Sequence, residues 1–319
     1  MTYRNIAYYA KNIFIDCMPP FVFRKQLDGI LRRIDDSDAS DVANRVRYYN
    51  QLKDYIKISE RARKISRISM AQSFYYYDLK EHARYFSRKL RLSYEFGDVL
   101  ELPDHPTIVK CRPIQADNAN ALIMKLDKLR HFYFPADDIA FEDKKPVAVW
   151  RGGEHNPKRV ELMRRYRGHR LCDVGYTHVP PSDSRHSPFL RPSEQMAYRY
   201  VISIEGNDVA SNLKWILASN SLCLMPAPTY ETWFMEGRLN AGEHYVGVAD
   251  DFEDLEDKIL YYETHPAEAR EIIRNANRYV EQFRDEPREQ LVSLLVLYKY
   301  FIATRQIEPD QTVAGLIWP

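Results

Sequence analysis

Glycine is scarce in this chain: 11 residues in 319. So few permissive backbone positions argue against a turn-rich, all-β architecture and in favour of helices. Cysteine is also sparse. Cys17, Cys111, Cys172 and Cys223 lie far apart without a CxxC pair, so a zinc site of the usual spacing is excluded and thiols in a reducing compartment are expected. No run of about 18 apolar residues occurs, and the N-terminal stretch carries Lys and Asp within its apolar part, so neither a membrane span nor a secretory signal is expected. The expected location is the cytoplasm. The formal net charge is only +1, which gives no global pull toward a polyanion.

What is present is an ordinary globular balance, 45% hydrophobic and 29% charged, with 23 tyrosines. The length fits about two domains. Residues 1–35 read as helical or mixed, with Val22, Phe23, Leu27, Ile30 and Leu31 at helical spacing. A polar break follows at 35–41. Its Asp36-Ser37-Asp38 has the form of a metal-binding acidic pair, but it lies far from the candidate phosphate positions and reads as a helix cap. Residues 45–91 hold 13 Lys/Arg against four acids, interleaved with aromatics. They read either as solvated helix faces or as a surface for an anionic partner, such as a phosphorylated glycan or a membrane face. No nucleic-acid motif is found there, and no nucleic-acid partner is expected. Residues 96–118 look extended, with β-branched residues in TIVKCRPI (107–114), a helix is expected from Asn118 to about His131, and 134–146 reads as a linker.

From Pro146 onward, strands alternate with helices. Strands are expected at 146–150, 169–177, 198–206, 221–226 and 244–249, and helices at 158–167, 208–219, 266–283 and 287–304. This alternation predicts an α/β layer with a parallel sheet. Ligands of such sheets bind beyond the carboxyl ends of the strands. Three exits have suitable residues: Arg151-Gly152-Gly153 with Arg159, Asp173 with Tyr176, and Glu205-Gly206-Asn207-Asp208 leading into a helix with Ser211, Asn212 and Lys214. The glycines permit close backbone approach, a helix start near Asp208 would offer N–H groups to an anion, and Arg151, Arg159 and Lys214 would add charge for a diphosphate. The bland alternatives are an N-cap for Asp208 and a solvated side chain for Lys214. Glu231 and Trp233 are candidates for the ribose or sugar, with the core as the alternative for Trp233 and Phe234. The residues alone predict a phosphate-containing ligand. His155, His178 and His244 show no paired ligand spacing, and no metal site is expected.

The blocks YRYVISIEGNDVASNLKWILASNSLCLMP (198–226), ETWFMEGRL (231–239) and HYVGVADDFEDL (244–255) resemble the signature of glycosyltransferase family 90, and VWRGGEHNPKR (149–159) and LCDVGYT (171–177) resemble its preceding strands. The family includes LpsA-type lipopolysaccharide core transferases, fungal capsule-associated proteins and animal protein O-glucosyltransferases, and EGNDVASNLKW is closest to the LpsA-type branch. The resemblance implies a GT-B fold with two Rossmann-like domains, a UDP-sugar donor held mainly by the C-terminal one, and inverting hexosyl transfer without a cofactor or metal. On this reading residues 1–140 form a helix-rich acceptor-side domain, 146–285 the donor domain, and 286–319 a C-terminal helix and tail. Animal and fungal members carry Arg where Asn212 stands, so Lys214 is a candidate substitute. The resemblance also places the catalytic base after the strand at 107–114, at Asp117, with Asp137, Asp138 and Glu154 as alternatives and a cap for the following helix as Asp117's other reading. The implied acceptor is a lipopolysaccharide core or another glycan, with peripheral association at the inner face of the cytoplasmic membrane through the basic 45–91 stretch. The contrasting reading is a non-enzymatic module that binds a phosphate ligand and a polyanion.

Overall fold

The computed structural model describes residues 3–33 and 38–318. Asp36 and Ser37 of the acidic pair lie outside the described residues, while Asp38 stands at the N-cap position of the helix Ala39–Tyr49. The chain forms two compact units, one of residues 1–129 with 285–319 and one of residues 130–284.

The first unit is mostly helical. Its centre is Glu286–Ala303, an 18-residue helix whose residues from Leu291 onward are all buried. A helix that is apolar all round must be enclosed. Here Ala39–Tyr49, Ser73–Ala83 and Pro20–Leu31 pack on it. The basic 45–91 stretch divides: Lys53, Lys57, Arg61, Arg63, Lys64, Arg67, Arg88 and Lys89 are exposed, whereas other residues are enclosed. Arg45 is fully buried and paired with Glu289 at 2.5 Å, Arg84 is buried, and Tyr75, Tyr76 and Tyr77 are core.

The helix expected at 118–131 does not form. Asn118–Asn120 turn, and Ala121–Ile123 is a strand lying parallel to Thr107–Val109. Ala121, Leu122, Ile123 and Met124 are four consecutive residues with no exposure. Such a run suits a strand enclosed on both faces better than a helix with a solvent side. Helical structure resumes only at Lys128–His131. Strands of the first unit have no more than three residues among the described ones.

The second unit is a parallel α/β layer. Five strands, β1 (Lys145–Gly152), β2 (Cys172–Tyr176), β3 (Tyr198–Ile202), β4 (Leu222–Met225) and β5 (Val246–Gly247), form one sheet in the order β2-β1-β3-β4-β5. All four pairings are parallel. Helices α1 (Pro157–Tyr166), α2 (Leu213–Leu217), α3 (Leu255–Thr264) and α4 (Pro266–Glu281) belong to the same unit. The strand interiors are short apolar runs, including Ala148-Val149-Trp150 and Leu222–Met225, as burial on both faces requires. The core joins Trp150, Tyr176, Tyr200 and Leu224 to Leu162 and Met163 of α1 and Leu255 and Ile259 of α3. The α/β alternation expected from the sequence is thus present, with strand positions close to those expected.

One expected element is much shorter. Instead of a helix over 208–219, only Leu213–Leu217 is helical. The Asn212 side chain turns back on β3, donating to the Ile202 carbonyl at 3.1 Å and accepting from the Ser203 hydroxyl at 3.1 Å. Val209 and Ala210 are buried in the connecting loop. Such local side-chain bonds compete with helix propagation. No helix N-terminus therefore faces the β3 exit at Asp208.

A candidate donor site at the sheet switch point

The chain leaves β1 to form β2 on one side, then crosses to β3 on the other. In this 2-1-3-4-5 order the reversal between β1 and β3 opens a crevice at the carboxyl ends of the two strands. Gly152 and Gly153 stand at one lip and Ser203–Asn207 at the other.

Arg159 on α1 ties the lips together. Its guanidinium donates to the carbonyls of Gly153 (3.2 Å), Ile204 (2.9 Å) and Glu205 (2.9 Å) and lies over the Trp150 ring at 5.7 Å. Burial lowers its pKa, with no carboxylate among the causes of the shift. Asn156, the N-cap of α1, accepts from the Lys158 amide and donates to the Gly206 carbonyl at 3.0 Å. Gly206 packs closely: a Cβ there would lie 3.3 Å from the Arg159 guanidinium, so the arginine would have to shift slightly. A Cβ on Gly152 would fall 2.5 Å from the Trp150 indole. These are packing reasons for the glycines at both exits.

The other predicted residues occupy definite places. Arg151 is nearly enclosed. It pairs with Asp173 at 2.8 Å and donates to the Asp173, Trp150 and Pro188 carbonyls. Asp173 also accepts from the Tyr198 hydroxyl at 2.7 Å, and burial together with that carboxylate pushes the Tyr198 pKa up to about 12. Tyr176 is buried edge-on to Trp150. Glu205 accepts from the amides of Thr229 (2.8 Å) and Tyr230 (3.0 Å) and from the Thr229 hydroxyl (2.5 Å), fixing the loop beyond β4. Asn207 and Ser211 are exposed, whereas Asp208 and Glu231 are buried. Trp233 and Phe234 are fully buried.

Lys214 does not reach the β3 exit. It is fully enclosed, its ammonium 2.5 Å from Glu236, which also accepts from the Thr232 amide and hydroxyl. Its charge is already balanced inside the protein.

A small cleft lies at the β3 and β4 exits. Val209, Ala210, Leu213 and Met225 give it an apolar floor, and Lys158, Glu205 and Tyr230 line it as well. Lys158 was not singled out from the sequence. Among the described residues its ammonium meets the Asp250 carboxylate, at 2.6 Å, and Asp250 is 72% exposed. That exposed pair is weak, so Lys158 is the cation at this cleft whose charge is readily available to an anion. The signal was its place beside Arg159, one residue into the first turn of a helix starting at a strand exit.

In the first unit, Asp117 lies exposed in the loop between the strands Cys111–Pro113 and Ala121–Ile123. Its neighbour Asn118 is buried, donating to the Pro113 carbonyl at 3.1 Å, while its own amide oxygen has no hydrogen-bond partner among the described residues. Because no helix starts at Asn118, Asp117 caps none. Asp137 of the second unit is buried and committed, to Lys144 at 2.7 Å and to the Asn220 amide at 2.8 Å. Asp138 is exposed, and Glu154 pairs with Arg185 at 3.2 Å. Among the described residues, no group of three or more His, Cys, Asp or Glu is placed to hold a metal ion.

Comparison with known proteins gives the family of the chain. The profile of Glycosyl transferase family 90 matches residues 125–306. O-glucosyltransferase LpsA of Dichelobacter nodosus is 44% identical over 304 residues, 94% of this chain and 96% of its own. The chain belongs to glycosyltransferase family 90. More distant members align over part of their length. Protein O-glucosyltransferase 2 of Danio rerio is 26% identical over 41% of this chain and 28% of its own. Protein O-glucosyltransferase 3 of Rattus norvegicus is 23% identical over 54% of this chain and 35% of its own. As a family 90 member the chain is a glycosyltransferase. The profile spans the whole parallel sheet and its switch point, so the family relation covers the candidate donor site and not only the helical unit.

Proposed function

We propose that this glycosyltransferase moves a hexose, glucose or galactose, from a UDP-sugar to a sugar hydroxyl of a lipopolysaccharide or lipooligosaccharide core, with inversion at the anomeric carbon. The two units are then the halves of a GT-B fold, the second holding the donor and the first the acceptor and base. The observation that carries this reading is the small cleft at the β3 and β4 exits, beside the sheet switch point. Its apolar floor suits a pyrimidine face, Glu205 and Tyr230 offer polar contacts for ribose or sugar hydroxyls, and Lys158 supplies charge for the diphosphate. Arg151, Gly152, Arg159, Asp173, Tyr176, Gly206, Asn207, Asp208, Ser211, Asn212 and Glu231 are assigned to the donor crevice or its bracing, and Lys214, held by Glu236, is not.

The chemistry needs one base and one place for negative charge. The Asp117 carboxylate takes the acceptor hydroxyl proton as that oxygen attacks the anomeric carbon, and the bond from this carbon to the β-phosphate oxygen breaks on the opposite face. The UDP that leaves carries the bonding pair, and fixed positive groups stabilise it without metal. The acceptor reading draws on the near full-length relation to an O-glucosyltransferase named LpsA. Work at the inner face of the cytoplasmic membrane fits a lipid-anchored acceptor, and among the described residues no helix is long and apolar enough to cross a membrane.

A thermal-shift screen of UDP-glucose, UDP-galactose, UDP-xylose and GDP-mannose tests the donor. Binding at about 100 times Kd stabilises the folded state by about 2.7 kcal/mol, so one UDP-hexose is expected to raise Tm by several degrees. Equal shifts for GDP-mannose and the UDP-sugars, or no shift at millimolar concentration, would contradict the donor assignment.

A further inference from the structure

The helix Tyr3–Asp16 is amphipathic the wrong way round for a soluble protein. Its protein-facing side is polar and aromatic. The Tyr8 hydroxyl donates to Asp78 at 2.6 Å and to the Phe74 carbonyl at 3.1 Å, Tyr9 meets the Ser73 hydroxyl at 3.1 Å, Asn12 is buried, and Asp16 accepts from the Tyr76 hydroxyl at 3.0 Å. These residues recur at helical spacing along one face. On the opposite face Ile6, Ala10, Ile13 and Phe14, at i, i+4, i+7 and i+8, are all exposed. Exposure is 53% for Ile6, 52% for Ile13 and 71% for Phe14, and Phe21 at the start of the next helix is 52% exposed. Large apolar side chains in such a stripe are an interaction surface rather than scattered surface residues.

The charge around the stripe selects the partner. Residues 3–33 contain six Lys/Arg (Arg4, Lys11, Arg24, Lys25, Arg32 and Arg33) against two acids, Asp16 and Asp28. Asp16 is met by Lys80 and Arg84 at 3.7 and 3.8 Å. Lys11, Arg24 and Lys25 are exposed, and the Lys25 ammonium lies 5.7 Å from the Phe21 ring. A second copy of the chain in a two-fold interface would bring these same cations together. A surface apolar within and negative at its rim satisfies both features.

We infer that the helices Tyr3–Asp16 and Pro20–Leu31 dock on an anionic phospholipid leaflet. Ile6, Ile13, Phe14 and Phe21 enter the headgroup–acyl boundary, and Lys11, Arg24 and Lys25 meet lipid phosphates. The helix lies in the interface and does not span it. This inference rests on the proposed lipid-anchored acceptor for its purpose, and it moves the membrane contact from the basic 45–91 stretch to the first two helices.

Cosedimentation of the full chain with vesicles of phosphatidylethanolamine and phosphatidylglycerol tests it, with phosphatidylcholine vesicles as the neutral control. The wild type is expected to bind the anionic vesicles, and less so as salt rises. Ile13→Ser/Phe14→Ser is expected to weaken binding at least about tenfold, as is Lys11→Glu/Lys25→Glu. Arg61→Glu/Arg63→Glu is expected to bind like the wild type. Because Ile13 and Phe14 are exposed, their replacement leaves the Tm unchanged; Phe21→Ser/Ile6→Ser is the second pair should the first pair fold poorly. Anionic vesicles that bind wild type and both apolar variants equally, or do not bind the wild type, overturn the inference. So does a wild-type dimer that Phe14→Ser dissociates without any vesicle binding. Calorimetry with UDP on the same preparations separates the two readings: UDP binding without vesicle binding sinks only the membrane surface, while absent UDP binding sinks the donor assignment.

Discussion

Replacing Asp117 by Asn is expected to lower kcat about a thousandfold while leaving the affinity for UDP within about twofold of wild type. A positioned general base contributes about 10²–10⁴-fold, and the amide keeps the shape of the carboxylate but takes up no proton. Stability should not change, because Asp117 is exposed and lies in a loop with no helix to cap. Initial rates of transfer from the donor picked out by the thermal-shift screen, with UDP affinity by calorimetry, give both readings. Transfer at the wild-type rate would remove Asp117 from the mechanism. Asp137 offers a contrast. It is the partner of buried Lys144 and of the Asn220 amide, which gives it a structural duty.

Lys214→Met is expected to destabilise the protein by about 3–5 kcal/mol, the usual consequence of leaving a buried carboxylate without its counterion. Glu236, 1% exposed, would then keep only the Thr232 amide and hydroxyl. For a protein of this size each kcal/mol lowers Tm by about 2–4 °C, so a drop of about 10 °C is the expected reading in a thermal melt. Lys214→Met/Glu236→Gln should recover most of it, because the charge and its partner leave together. UDP affinity in the double variant should stay near wild type. A Lys214→Met protein that melts normally but no longer binds UDP would mean that this lysine serves the diphosphate after all.

The sequence carried the parallel layer well and the local chemistry of its site less well. Strand runs such as Ala148-Val149-Trp150 and Leu222–Met225 are short, apolar and bounded by Gly or Pro, and they read correctly without any fold knowledge. Ala121–Met124 has the same character, but with Leu129 it also fits a loose helical period. The decisive fact, enclosure on both faces by Thr107–Val109 and its surroundings, is tertiary. The cations were hardest to place. Arg151, Arg159 and Lys214 stand close to strand exits in sequence, yet their donors meet Asp173, three backbone carbonyls and Glu236 respectively. A linear sequence shows that a charge is near a site but not which carbonyl or carboxylate already holds it. Lys158 is hard to find for the opposite reason: its one mark in the sequence is a place beside Arg159 in a first helical turn, and its weak pairing with Asp250 shows only in the structure. The first helix teaches the same point. Its apolar and polar residues alternate with good helical period, but the period does not say which face turns inward.

Hydrogen–deuterium exchange of the full chain with and without saturating UDP addresses the donor crevice itself. Slower exchange is expected in two segments when UDP is bound, residues 203–210 after β3 and 226–230 after β4, together with the start of α1 around Lys158. Protection confined to the first unit, with those three segments unchanged, would contradict a donor site at the sheet switch point.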